Sequence, residues 1–372
     1  MLDRILLSRF RNHADTVVEG TARFNLLVGE NGAGKTNVLE AISLLAPGRG
    51  LRRAQLPDMP AQGGDGSFGI SAALTMPGVG EGRGGEPVRL GTGVASARPG
   101  RRLVQVNGAQ GSALGLAEWL SIGWLTPAMD RLFVETPGAR RRFMDRLVMA
   151  LHPAHAANAA RLEGAVRERN RLLAGERMPD ARWLDAIEVQ IAEAGALVAS
   201  ARARLVDRLE ATLATLPDAP FARPSLAYVP GGPVEAGALA IALHEGRARE
   251  RAAQRTLTGP HRDELAVTMA GKTQPAAECS TGEQKAMLIA ITLAHSHLLE
   301  QAEANGGEAR PRLLLLDEVA AHLDPVRREA LFARLRAGTA QVWLTGTEAA
   351  PFEAILKEAA VWEVSAGTVR RV

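Results

Sequence analysis

The chain has 372 residues, and its 44 basic residues against 41 acidic ones leave a formal charge of only +3, which excludes a protein that coats nucleic acid by bulk charge. Hydrophobic residues make up 46%, too many for a disordered chain, and the length suggests two or three domains of roughly 100–200 residues each. One cysteine, Cys279, excludes an internal disulfide framework and a cysteine-built zinc site, while the charged start MLDRILLSRFRN has no signal-peptide core and no run approaches the ~18 apolar residues of a membrane span, so a cytoplasmic protein without a membrane partner is expected.

The first element read along the chain is a short apolar run, Phe24-Asn25-Leu26-Leu27-Val28, followed by Gly29-Glu30-Asn31-Gly32-Ala33-Gly34 and then Lys35-Thr36, which open the periodic Val38, Leu39, Ile42 and Leu45. Strand, glycine loop and helix in that order fit the phosphate-binding pattern GxxxxGK[ST]. The glycines let backbone N–H groups turn inward around phosphates and the helix N-terminus favours the anion. Lys35 would reach the β- and γ-phosphates of ATP, and the Thr36 hydroxyl would ligate Mg²⁺. A glycine-rich turn before a helix is the plainer reading, but the lysine count argues against it. Only four of the 44 basic residues are lysines, at Lys35, Lys272, Lys285 and Lys357, and one stands where a compact ammonium suits the cradle better than a planar fork.

Between about residues 60 and 107 the chain turns glycine-rich, with short alternating runs at 67–75, 88–94 and 103–106 and a turn signal at Asn107-Gly108. This predicts an antiparallel meander with a flexible loop over 78–85. From roughly 128 to 216 the composition changes to Ala, Arg, Glu and Leu. Trp183, Ile187, Ile191, Ala194, Val198, Ala201 and Leu205 recur at three- and four-residue steps, which predicts one long amphipathic helix. A shorter helix around Leu162, Val166 and Leu173 precedes it across 175–180, so an antiparallel helical arm is expected, with 217–233 as its exit linker. The resulting division is an ATPase head in two parts, 1–115 and 222–372, with a helical arm domain, 116–221, inserted between them. His152 and His155 invite a metal reading, but no acid or cysteine partners them at useful spacing.

Toward the end, Leu313-Leu314-Leu315-Leu316-Asp317-Glu318 reads as a buried parallel strand ending in two acids. Asp317 would complete the Mg²⁺ shell and Glu318 would orient or deprotonate the attacking water, although two solvated acids would look the same in isolation. Ser280 stands before an apolar helix with Glu283 three residues later, which is a capping box in its own right. Arginine clusters at Arg49/Arg52/Arg53, Arg98/Arg101/Arg102, Arg140/Arg141/Arg142 and Arg370/Arg371 are either solvated faces or phosphate contacts. Aromatic residues at 4% make base stacking an improbable main mode of binding.

Several of these segments resemble a known family. Ser280-x-Gly282-x-x-Lys285 is similar to the signature motif of ABC-type ATPase heads, and Leu323-Asp324 to their D-loop. Phe10-Arg11-Asn12 resembles the start of SMC-like heads. Thr258-Gly259-Pro260-His261-Arg262-Asp263-Glu264-Leu265, Trp124-Leu125-Thr126-Pro127, the run from Thr136 to Asp145, and Gln341-Val342-Trp343-Leu344-Thr345-Gly346-Thr347 resemble segments of the RecF family of bacterial recombination mediators.

The resemblance implies an α/β fold, an ABC-type P-loop ATPase head with a β meander and an inserted arm. It implies a slow, DNA-stimulated ATPase that dimerises on ATP, with Ser280 and Gly282 closing on the nucleotide of a second copy and Asp324 at the same interface. It further implies binding of duplex, gapped and junction DNA, loading of recombinase with RecR and RecO, and roles in DNA replication and the SOS response. Two features depart from transporter-type heads. Thr347 stands where they carry a histidine, which would make the γ-phosphate sensor a hydroxyl, and neither Gln105 nor Gln110 can be placed as a glutamine loop. An ATPase subunit of another, transporter-like complex is the alternative these departures weigh against.

Overall fold

The computed structural model describes residues 1–76, 86–176, 179–217, 219–306 and 309–372; the loop expected over 78–85 lies outside them. The chain begins with strands β1 (Leu2–Phe10), β2 (His13–Glu19) and β3 (Phe24–Val28), then helix α1 (Lys35–Ser43). Strands β4 (Phe68–Leu74), β5 (Val88–Val94), β6 (Leu103–Val106), β7 (Ala109–Gln110) and β8 (Ser121–Leu125) follow. Helices α2 (Pro137–Leu151), α3 (His155–Leu173) and α4 (Ala181–Thr215) come next, then β9 (Pro224–Val229), α5 (Ala236–Glu245), α6 (Arg247–Ala252), β10 (Glu264–Met269), β11 (Gln274–Pro275) and α7 (Thr281–Ala304). The chain closes with β12 (Arg312–Leu316), α8 (Pro325–Ala337), β13 (Gln341–Gly346), β14 (Ala359–Ser365) and β15 (Thr368–Arg371).

By its internal contacts the chain forms two compact units, Met1–Met129 with Leu299–Val372, and Asp130–Leu298. The division expected from sequence, at 115/116 and 221/222, differs from this one. Residues 222–298 cluster with the helices because buried ion pairs tie them there: Arg202 of α4 reaches Asp263 at 2.9 Å, and Arg169 of α3 reaches Glu250 at 2.5 Å.

In the first unit one sheet runs β15-β14-β3-β13-β12-β8, with β14, β3, β13, β12 and β8 mutually parallel where they pair. The expected meander is present as β4 to β7, and it extends a second sheet, β2-β1-β4-β5-β6-β7, antiparallel throughout. The apolar face of α1 (Val38, Leu39, Ile42) packs into a core with Leu27, Leu315 and Trp343. Each such side chain contributes roughly 1.5–3 kcal/mol by leaving water. All six residues of β13 are buried, as a strand flanked on both sides requires. Val28, Leu125, Leu316 and Gly346 end parallel strands on one edge, which is where open α/β sheets place their ligands.

The second unit contains α3 and α4 packed together, with Ile187, Ile191, Ala194 and Val198 of α4 against Leu162, Ala165 and Val166 of α3 and Leu239 and Leu243 of α5. Trp183 departs from the expected stripe. It lies in the first turn of α4, half exposed, with the Arg171 guanidinium 5.8 Å over its ring. Strands β11-β10-β9 form a small antiparallel sheet beside these helices. Among the described residues, no helix is long and apolar enough to cross a membrane.

Candidate phosphate-binding site

The loop from Gly29 to Gly34 leaves β3 and enters α1 as the sequence pattern predicts. Gly29 begins it close against the sheet: a Cβ there would lie 2.1 Å from the Val364 carbonyl oxygen. Glu30, Asn31 and Gly32 are exposed, and Gly32 and Gly34 take φ of +83° and +117°, the left-handed region that favours glycine. A Cβ on Gly34 would also meet Asn12 at 2.8 Å and His13 at 2.9 Å. The resemblance run beginning at Phe10 has a mechanical role here. Asn12 Nδ2 donates to the Ala33 carbonyl at 3.0 Å, and His13 Nε2 lies 3.2 Å from that of Gly34, so both brace the loop from behind.

Among the described residues, helix α1 has no side-chain cap and no acid in its first turn, whereas α4 and α8 are capped by Asp180 and Asp324. Its first N–H groups are therefore left for an anion. Lys35 is buried, and its ammonium donates to the carbonyls of Gly29 (2.6 Å) and Glu30 (2.9 Å), which holds it inside the loop. Glu40, fully buried on α1, is neutralised by Arg11, which donates two hydrogen bonds to it at 2.9 and 2.6 Å, and by Arg52 at 2.9 Å.

Across the strand edge, the Thr36 hydroxyl lies 2.9 and 3.2 Å from the two oxygens of Asp317. Burial pushes the Asp317 carboxyl above its ordinary range, and the neighbouring charge of Glu318 adds to this; hydrogen bonds from Thr345 and Thr36 act the other way. A buried carboxylate and a hydroxyl, both hard oxygen donors beside an anion-ready loop, fit Mg²⁺ with a polyphosphate. Glu318 follows, partly exposed, with φ of +52°. Thr345, a residue that sequence reasoning missed as a site residue, contacts both acids: its hydroxyl lies 2.8 Å from Asp317 Oδ1 and accepts from the Glu318 N–H at 2.9 Å. Thr347 is exposed just past the end of β13, and Gln105 and Gln110 pair with each other at the far end of the meander.

Asp324 is exposed and caps α8, accepting from the Arg327 N–H at 2.9 Å. In the second unit, Ser280 and Glu283 form the capping box that the spacing predicts. Glu283 accepts from the Ser280 N–H and hydroxyl, both at 2.9 Å, and Lys272 Nζ reaches Glu283 at 2.5 Å. Bonding to Lys272, with the Ser280 contacts, holds the Glu283 carboxyl down at about 2. Gly282 is exposed, and among the described residues nothing lies within 4 Å of a Cβ built on it.

Other charge clusters in this unit are internal. The carboxylates of Asp185 and Glu188 converge near His244, but Arg247 already sits among them, 2.5 Å from Asp185 and 2.6 Å from Glu188, where a metal cation would have to lie. His155 pairs with Asp145 at 2.8 Å. Two of the family-like runs meet through side chains: Arg140 makes two 2.7 Å bonds to Glu264, and Arg141 donates to the Asp263 carbonyl at 2.8 Å.

Residues 1–369 match the model of the RecF/RecN/SMC N-terminal domain family. A curated protein from Mesorhizobium japonicum named DNA replication and repair protein RecF is 45% identical over 99% of this chain and 97% of its own length. A Brucella suis protein of the same name is 44% identical over 98% of this chain and 94% of its own. Among solved structures, one described as the recombination mediator protein RecF with ATP in the RecFOR pathway covers 100% of this chain and 97% of that one, with TM-score 0.84 at 21% identity. An Smc head bound to the C-winged helix domain of ScpA covers 100% and 96%, with TM-score 0.53 at 16% identity.

Proposed function

Because this chain belongs to the RecF family of DNA replication and repair proteins, we propose that it is an ATP-gated DNA clamp of recombinational repair that hydrolyses ATP slowly and faster on DNA. The observation that carries the nucleotide half is the Thr36–Asp317 contact beside an uncapped helix N-terminus. In this reading the N–H groups of Gly32 to Thr36 bind the β-phosphate, and Lys35 exchanges its two carbonyl partners for phosphate oxygens. Thr36 and Asp317 hold Mg²⁺, which supplies neutralisation of phosphate charge. Glu318 accepts the proton of the attacking water.

Thr347 senses the γ-phosphate with its hydroxyl, while Ser280 and Gly282, at the N-terminus of α7, close on the nucleotide of a second copy with Asp324 at that interface, so ATP draws two chains into a dimer. The exposed guanidiniums of Arg49, Arg53, Arg98 and Arg101 then contact DNA phosphates, giving salt-sensitive binding to duplex and to gapped or junction DNA. Family membership extends this to loading of recombinase with RecR and RecO, and to roles in replication and the SOS response. The solved relative described as a recombination mediator with ATP supports the same reading.

Light scattering of the purified protein with and without ATP and duplex DNA tests it. ATP converts monomer to dimer and permits retention on DNA; Ser280→Arg keeps ATP affinity but stays monomeric and unbound. Normal ATP binding by the wild type with no retention at low salt would refute the clamp.

A further inference from the structure

The strand edge holds a further contact, made by the Thr345 hydroxyl to the two acids that follow β12. Thr345 is fully buried near the end of β13, one residue past the Leu344–Leu316 pairing, which sets it beside Asp317. A hydroxyl has one proton and two lone pairs. Here the proton goes to Asp317 Oδ1 (2.8 Å), and a lone pair accepts the backbone N–H of Glu318 (2.9 Å). The Asp317 N–H is taken separately by the Leu125 carbonyl of β8 at 2.9 Å. One side chain therefore grips the carboxylate of one acid and the backbone of the next.

That grip falls where the backbone is strained. Glu318 has φ of +52°, a conformation unfavourable for a residue with a Cβ and retained only where the surroundings enforce it. The bond from its N–H to Thr345 is one such constraint, and Val319, 2% exposed, anchors the chain just beyond. β-Branching restricts the Thr345 rotamer, so the hydroxyl is held in place within the strand.

We propose that Thr345 is a positioning residue: through one hydroxyl it fixes the Asp317 carboxylate towards Thr36 and locks the left-handed turn that aims Glu318. The proposal rests on the hydrolytic reading above. It assigns Thr345 no contact with nucleotide, so its loss should slow turnover without weakening metal-free nucleotide binding.

Thr345→Val keeps shape and branching but removes the hydroxyl; Thr345→Ser keeps the hydroxyl and removes the methyl. Steady-state ATPase assays over a Mg²⁺ series, fluorescent-ATP binding in EDTA and thermal melts are compared with wild type. For Thr345→Val we expect kcat to fall by about 100-fold, the scale of misplacing a reacting group by an ångström. The half-maximal Mg²⁺ concentration should rise and metal-free ATP affinity should change by less than about twofold, while Thr345→Ser recovers most of the rate. Wild-type turnover by Thr345→Val, or equal impairment of Thr345→Ser, overturns the proposal. Should Thr345→Val fail to fold, Thr345→Ser against Thr345→Ala decides the same question. A wild type that binds ATP without hydrolysing it would instead refute the reading of Glu318 as base.

Discussion

The phosphate loop of the first unit and the helix pair of the second both hold charged side chains out of water, but they finish them differently. Lys35, 4% exposed, rests on two neutral carbonyls. Arg169 of α3, 0% exposed, spends all five of its N–H donors: Nε and Nη2 on Glu188 Oε1, Nη1 on Glu250 and Thr256, and Nη2 again on the Leu243 carbonyl. Glu250 in turn accepts the N–H groups of Leu257 and Thr258 at 2.6 and 3.1 Å. A cation held by neutral groups gains by exchanging them for an anion, whereas one already matched to carboxylates gains nothing. The first arrangement suits a ligand site, and the second fixes where 222–298 packs on the helices.

Substituting each cation separates the two regions most sharply. Arg169→Met leaves Glu188 and Glu250 buried without their shared partner and should lower stability by about 3–5 kcal/mol in denaturant melts. Lys35→Met should change stability by about 1 kcal/mol or less while abolishing ATP binding, read by fluorescent-nucleotide titration. An Arg169→Met protein as stable as wild type would erase the distinction.

This contrast also explains which parts were legible in sequence. The phosphate loop and the β12 acids were readable because their chemistry is packed into contiguous residues, where backbone geometry demands glycine and lysine at fixed steps. Thr345 was not, because a threonine in a strand is also what β-propensity favours, and its hydroxyl partners lie 27 and 28 residues away. Arg169 left a signal that went unused. Leu162, Val166, Arg169 and Leu173 step by four, three and four residues along one face of α3, and all four are buried, so a charge on that stripe required a buried partner. The 222–298 boundary was illegible for the same reason. Proline and glycine at 217–233 marked a change of local structure, and only the distant carboxylates showed which side the next segment joins.

A smaller effect tests whether burial without charge pairing also marks the second unit. His295 of α7 is buried, with Nε2 2.9 Å from the Leu147 carbonyl. Burial, aided by the positive charges of Arg146 and Arg208, lowers its pKa from about 6.5 to about 4, so the folded protein keeps it neutral. The unfolded chain binds the extra proton first. Its contribution is therefore complete above about pH 6.5 and is lost as pH falls toward 4, by up to about 3 kcal/mol. Subtracting the pH–stability curve of His295→Gln from that of wild type should leave this slope; a flat difference would mean the ring is solvated.

The smallest expected change concerns Asp263, whose carboxylate gathers Arg202 (2.9 Å), the Tyr228 hydroxyl (2.6 Å) and the Gly231 N–H (2.8 Å). Gly231 is there because a Cβ would come within 2.5 Å of Arg262 and 2.7 Å of the Gly259 carbonyl oxygen. Burial, then the bond to Asp263, raises the phenol's pKa above its usual value of about 10. Tyr228→Phe removes one of three partners and leaves the carboxylate paired, so it should cost only about 1.5 kcal/mol, against the larger loss on removing Arg169. Tyr228 is also the only tyrosine of the chain, so phenolate absorbance reports it alone. Ionisation should appear only together with alkaline unfolding. A phenol that titrates reversibly near pH 10 in the folded protein would mean that Asp263 is held by Arg202 and Gly231 without it, and Tyr228→Phe should then cost nothing.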